Sequence, residues 1–302
     1  MGYNLQGYID DVVIPKIMET VFVTDLQPML DLFNTDPFHT GGPNIVKNIC
    51  VSETSNAANY TRTDVNPAPD SFETAQASWT RRYQHVAYDA HGIDLSQAEE
   101  GGIKGVQDLV KYKSMKAFAQ LRKLIFDDFY SRLHADIDST TPYSDAGISR
   151  SDYPTLASNE DDSDNTVTLA EMRALKFATH LNKNTERENY LWIVEPTVNK
   201  ALQALIVAEF GRYLVDPQRN QGYAGGYQQA ESFDGDRVIE MIGMTVGDMF
   251  YMNPMDAYVD NHRPLSIEQV PSGKDSVEFV MRIGMEMWVD NPGHQSKMTN
   301  KD

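Results

Sequence analysis

The chain has 302 residues, 41% of them hydrophobic and 10% aromatic, which is enough apolar material for a core and excludes a disordered protein. Its 26 lysines and arginines face 44 acids, and the resulting charge of −18 argues against a surface that grips DNA or an anionic membrane as a whole. A single cysteine, Cys50, excludes an internal disulfide framework, and no stretch is apolar for long enough to span a membrane.

The start, MGYNLQGYIDD, lacks the blocks of a signal peptide and the Ser or Thr of a myristoylation site, so the expectation is a soluble chain made in a cytoplasm. Over residues 1–43, Ile17, Met18, Val21, Phe22, Leu26, Met29, Leu30 and Phe33 suggest one or two short amphipathic helices interrupted at Pro28. Such an arm has no sequence-local partner and must pack on something distant or on another subunit. Residues 44–95 turn β-like. Ile45 to Val51 is β-branched, Asn66-Pro67-Ala68-Pro69-Asp70 is turn chemistry, and Phe72 to Tyr88 reads as one extended run through Trp79, Arg81, Arg82 and Tyr83. With few strongly apolar positions this predicts a protruding ribbon, marginal alone in water, which a neighbouring subunit would support.

Ser96 and Glu99 fit a capping box, and Gly101, Gly102 and Gly105 allow the following helix to begin as late as Lys104. In that helix Val106, Leu109, Val110, Phe118, Leu121, Ile125, Phe129, Leu133 and Ile137 make one apolar stripe at three- and four-residue steps. The opposite face carries Lys104, Lys111, Lys113, Lys116, Arg122, Lys123 and Arg132 among Asp108, Asp127, Asp128 and Asp136. Running roughly 50 Å at about 1.5 Å per residue, it reads as a spine that needs an element laid along it.

Ser139 to Asn165 is a polar surface stretch. From Thr166 a second domain is expected: Thr168 and Glu171 fit a capping box, Tyr190 to Val194 a buried strand, and Pro196 the start of a helix through Val198, Leu202, Leu205, Ile206 and Phe210. Gln218 to Asp236 reads as a loop. The last third is β-like, with breaks at Gly243, Asn253-Pro254, Pro264 and Pro271 to Lys274. Its final run, Ser276 to Val289, alternates with period two over unusual length and is the expected partner of the spine.

The order of arm, ribbon, long helix, α/β middle and returning strands resembles the major capsid proteins of tailed bacteriophages, the Hong Kong 97 capsid fold. The segments that carry it are LIFDDFYSRLHADI at the helix end, YLWIVEP followed by a helix, and the closing series IGMTV, FYMNPMDAYVDNHRPLSIEQVP and SVEFVMRIGMEMWVDNP. The resemblance implies an α+β chain with an N-terminal arm (1–43), an extended E-loop (44–95), a peripheral domain with its spine helix (96–150), an axial domain (151–248) and return strands with the C-terminus (249–302). It implies hexamers and pentamers tiling an icosahedral shell around double-stranded DNA, assembled in the host cytoplasm, with DNA touched only loosely. Scaffolding, decoration and portal proteins would be separate chains. No cofactor, catalytic residue or membrane is implied. An encapsulin-like nanocompartment shell on the same fold is the alternative, followed by a soluble enzyme or binding protein using the loop around Tyr223 and Tyr227.

Candidate residues follow from chemistry sought along the chain. The seven histidines form no H-E-x-x-H pair, and no Walker or G-x-S-x-G pattern occurs. Glu160, Asp162, Asp164 and Glu171 fall at positions 1, 3, 5 and 12 of a calcium-loop frame, although Asn165 stands where glycine is required. Trp79, Arg81, Arg82 and Tyr83, with Phe22 and Phe33 of the arm, are the candidates for contacts between subunits.

Overall fold

The computed structural model describes residues 6–14, 27–35, 42–50, 74–100, 102–163, 165–181, 189–210, 231–270 and 276–301. In chain order these form α1 (Gln27–Leu32), β1 (Asn34–Thr35), β2 (Asn44–Cys50), β3 (Thr74–Thr80), β4 (Gln84–His91), α2 (Gly92–Glu99), α3 (Gly102–Asp136), β5 (Asn159–Asp161), α4 (Leu169–Leu181), β6 (Leu191–Val194), α5 (Pro196–Phe210), β7 (Glu231–Phe233), β8 (Asp236–Glu240), β9 (Met249–Met252), β10 (Ala257–Val270), β11 (Ser276–Val289) and β12 (Ser296–Met298). The chain divides into two compact units, one of residues 1–39, 81–131 and 258–287, the other of 40–80, 132–257 and 288–302.

The first unit holds most of the predicted spine. α3 begins at Gly102, two residues before Lys104, and glycine suits the φ of +71° there. Ser96 lies inside α2, a separate helix that starts four residues earlier, so the Ser96–Glu99 pattern marks no helix start. The two helices approach closely at Gly105, where a Cβ would stand 2.2 Å from the Ala98 carbonyl oxygen. Val106, Val110, Phe118, Leu121, Ile125 and Phe129 are all buried, as the stripe predicts. A four-stranded sheet in the order β1-β10-β11-β4 completes the unit. β4 pairs antiparallel with β11, setting Tyr88 opposite Phe279, their rings stacked at 5.3 Å. Tyr88 Oη to Ser114 Oγ (2.6 Å) and Gln84 Nε2 to Asp128 Oδ2 (3.0 Å) tie β4 to α3.

Two strands differ from their predicted form. β10 runs unbroken through Pro264, which is exposed. Among the described residues its neighbour β1 pairs only with Tyr258 and Val259. β11 alternates as far as Ile283 and is then buried on both faces to Val289. Gly284 belongs to the covered half: a Cβ there would lie 2.6 Å from His262 Nε2. The run Phe72 to Tyr88 is not one strand but two, β3 and β4, in different sheets, with the corner at residues 81–83.

The second unit is built on a six-stranded mixed sheet in the order β5-β12-β9-β6-β8-β7. β6 and β9 are buried at every residue, which explains why YLWIV and MFYM read as short continuous apolar runs. Met172 and Leu175 of α4 and Val198, Leu202 and Ile206 of α5 join Trp192, Phe233, Tyr251 and Met298 in its core. The capping box is realised: Thr168 N donates to Glu171 Oε2 (3.1 Å) and Glu171 N to Thr168 Oγ1 (3.2 Å). Before Pro196 the cap is Glu195, whose carboxylate accepts from Thr197 N (2.8 Å) and Val198 N (3.1 Å). β9 and β12 lie in this sheet although they fall after residue 248. The ribbon β2–β3 also belongs to this unit, paired from Asn44↔Thr80 to Cys50↔Thr74.

Candidate assembly surfaces

The four clustered contact candidates are Trp79 in β3 and residues 81–83 after it, and they differ in burial. Trp79 is fully buried in the second unit, edge-on to Tyr143 at 5.7 Å and tilted against Trp288 at 5.8 Å. Arg81 is buried in the first unit, its Nε 3.0 Å from Asp260 Oδ2. Both are buried within their own units, where a bulky indole and a desolvated guanidinium have partners that sequence distance hid. Arg82 and Tyr83 remain at the surface of the first unit. Arg82 reaches Asp128 (3.0 Å) and Glu286 (3.6 Å), and Tyr83 is 58% exposed with one edge on the His262 ring.

The described parts of the arm also pack on their own chain. Ile9 and Val13 are fully buried and Phe33 nearly so. Gln6 bridges to β10, donating to Ile267 O (2.8 Å) and accepting from Gln269 N (3.1 Å). The arm therefore takes the distant-partner option for these residues. Phe22, Tyr223 and Tyr227 lie outside the described residues.

The ribbon's foot is held by a partly buried polar and aromatic clasp. Thr80 N donates to Asp145 Oδ2 (2.7 Å), Asp145 N to Ser78 O (2.8 Å), and Arg132 grips the same carboxylate at 2.8 and 3.2 Å. Lys47 on β2 pairs with Asp290 (3.0 Å) and sits over the Trp288 ring. Beneath the foot, Asp136 accepts from Val289 N (3.0 Å). Burial pushes the Asp136 carboxyl up to about 7, and Arg132, the Val289 N–H, the Trp79 indole and Arg150 pull it only part of the way back.

The acidic stretch has a resident cation of its own. The Lys301 side chain is wholly buried, its Nζ 2.7 Å from Ser163 Oγ and Asn165 Oδ1, 3.2 Å from Asp161 Oδ2 and 3.9 Å from Glu171 Oε1. Lys297 Nζ lies 2.8 Å from Asp138 and 3.0 Å from Glu160. Burial opposes the Asp138 charge, but Lys297 and the Thr141 and Thr140 N–H groups outweigh it and hold the carboxyl well below the usual range. Glu160 and Glu171 thus turn to different lysines, Asp162 is exposed, and Asp164 lies outside the described residues. Among the described residues no three potential ligands gather for a metal. Neither lysine was signalled by the sequence, where both stand more than 120 residues from the acids they neutralise.

No protein-family model and no curated protein matches this sequence. Solved structures do match. The cyanophage A-1(L) capsid asymmetric unit superposes with a TM-score of 0.70 at 16% identity, over 91% of this chain and 92% of that one. The chain has the Hong Kong 97 capsid fold. Mycobacterium phage Che8 shares the capsid fold at a TM-score of 0.60 and 12% identity, with 90% of each chain covered. The virus-like particle of Pyrococcus furiosus matches at 0.56 and 9% identity, over 98% of this chain and all of that one. At such identities the capsid fold is carried by the placement of apolar residues and by element order, which is why the resemblance was one of segments.

Proposed function

We propose that the chain is the major capsid protein of a tailed phage or of a prophage-derived particle, assembling with copies of itself into an icosahedral shell around double-stranded DNA. The observation that supports this most is the end-to-end match to the cyanophage capsid subunit, which leaves little of either chain unaccounted for. In this reading residues 1–43 are the arm, 44–95 the E-loop, 96–150 the spine segment, 151–248 the axial domain and 249–302 the return strands. Hexamers and pentamers form in the host cytoplasm, with scaffolding, decoration and portal proteins among the partners. Assembly needs no reacting group: weak contacts repeated under symmetry supply the driving force. The charge of −18 suits a container, because an acidic lining repels packed DNA and leaves it free to leave. Arg82 and Tyr83 are the contact residues, being the members of the corner still at the surface.

The variant Tyr83→Ser tests that assignment, because Arg82 is also held by Asp128 and the buried Glu286. Its thermal midpoint should stay within a few degrees of wild type while the concentration needed for assembly rises about tenfold. Unchanged assembly would remove Tyr83 from the interface. A second reading, a cellular compartment shell, is supported by the full-length match to the P. furiosus particle. Particles purified from the native source separate the two: packaged duplex DNA supports the phage capsid, and an enclosed enzyme cargo supports the compartment.

A further inference from the structure

Two carboxyl groups at the ribbon's foot have a claim on the same guanidinium. Arg132 puts both terminal nitrogens on Asp145, at 2.8 and 3.2 Å. Asp145 in turn accepts from Thr80 N (2.7 Å), and its own N–H donates to Ser78 O (2.8 Å), so the Arg132–Asp145 pair fixes the end of β3. Asp136 lies four residues after Arg132, one turn along α3, and is buried. One of its oxygens accepts from Val289 N (3.0 Å). The other, Oδ1, has no hydrogen-bond partner among the described residues, and neither has the indole N–H of Trp79 beside it. A buried carboxyl so poorly supplied with donors favours its neutral form.

The other groups around the foot do not relieve it. Arg150 has its three nitrogens committed to four backbone carbonyls, those of Thr141, Leu156, Ala135 and Asp136. Tyr143 donates its hydroxyl to Val289 O (2.5 Å), and burial keeps that phenol protonated. Asp290 is paired with Lys47 at 3.0 Å. Arg132 is the cation that a charged Asp136 recruits. Of the two guanidiniums it attracts Asp136 the more strongly, and the Asp145 side chain it now holds is 34% exposed, so water takes its place there. We propose that the ribbon's foot is a proton-operated latch: while Asp136 keeps its proton Arg132 grips Asp145 and holds the end of β3, and once the proton is lost the Asp136 carboxylate draws Arg132 off Asp145 and the foot loosens. Burial holds the Asp136 carboxyl up at about 7, against about 4 for a carboxyl in water, so the loosened state gains on the closed one from about pH 4 to about pH 7 and levels off above. The latch lies inside one compact unit of one chain and stands apart from the assembly reading.

Hydrogen exchange of the dilute full-length protein tests it, read on the amides of residues 44–46 and 78–80 against those of β6 and β9 and corrected for the intrinsic pH dependence of exchange. Between pH 5 and 8 the amides of the foot should lose at least about tenfold in protection and should exchange faster than the two central strands. Asp136→Asn should keep at pH 8 the slow exchange of pH 5. That result separates Asp136 from Asp290, whose carboxyl burial also raises, with Lys47 opposing. Asp145→Asn should exchange fast at both pH values, because no ion pair is left to give up. Far-UV circular dichroism establishes that each variant folds, and Asp136→Asn alone decides if Asp145→Asn does not. A loss of protection that persists in Asp136→Asn, or is as large in Asp145→Asn as in wild type, overturns the proposal. So does a foot that exchanges at the rate of β6 and β9 throughout, since the proton would then report on the whole fold.

Discussion

Asp136 shows how far a single residue can depart from its sequence context. On a helical projection it belongs with the polar face of α3, yet it is buried, as is Arg132 one turn earlier. A single stripe on a 3.6-residue period does not allow for the buried face turning along 35 residues, and the last turn enters the ribbon's foot. The consequence is a pH dependence of definite sign. Its carboxyl is raised in the folded chain, so the stability it contributes is complete below about pH 4 and is lost as the pH rises through 7. The full span corresponds to at most about 4 kcal/mol. Asn reproduces the neutral form, so Asp136→Asn should flatten the fall of the thermal midpoint between pH 5 and 8 and raise the midpoint at pH 8. A midpoint that falls equally in both proteins would place the titrating group elsewhere. Trp79 is the companion case. Its aromatic character was legible, its direction was not, and Trp79→Ala should cost about 3–5 kcal/mol in urea denaturation through the cavity left beside Tyr143 and Trp288. A cost below 1 kcal/mol would mean the foot is not anchored there.

At the scale of elements, what could be read locally was read well. The α3 stripe, the capping box at Thr168 and Glu171, the strand in YLWIV and the proline-led helix at Pro196 each rest on residues a few positions apart, where periodicity and capping chemistry act. What depended on neighbours in space was hidden. β10 continues through Pro264, and β11 loses its alternation because its far half is covered on both faces. The acidic stretch is the clearest instance. Its charges read as a solvated loop with a calcium frame as the lesser alternative, and the fold supplies lysines from the C-terminal segment. Removing that ammonium should leave Asp161 and Asn165 facing each other without a donor between them. Lys301→Ala is therefore expected to lower stability by about 2 kcal/mol, discounted for the partial exposure of Asp161 and Glu171. A chemical-denaturation midpoint unchanged from wild type would show the clasp to be idle.

For the whole molecule, element order was the signal that survived. Sequence identities of 9–16% to solved shells leave no motif to match, yet the fold extends over nine-tenths or more of the chain. The parts expected to wait for a neighbour are more self-sufficient than their composition suggested: Ile9, Val13, Phe33, Ile45 and Trp79 are buried without one. Among the described residues the large apolar side chains more than half exposed are Tyr83, Ile103, Tyr112, Phe177, Ile242, Val246 and Met255. On the proposed reading, such a chain folds first and associates afterwards through surfaces that are individually weak. The most direct test is the mass of the purified full-length protein by light scattering across concentration and salt, with electron microscopy of the same samples. The account predicts rings or closed shells many times the 34.0 kDa subunit, appearing above a threshold concentration; a 34.0 kDa monomer under every condition, with scaffold added or not, would contradict it.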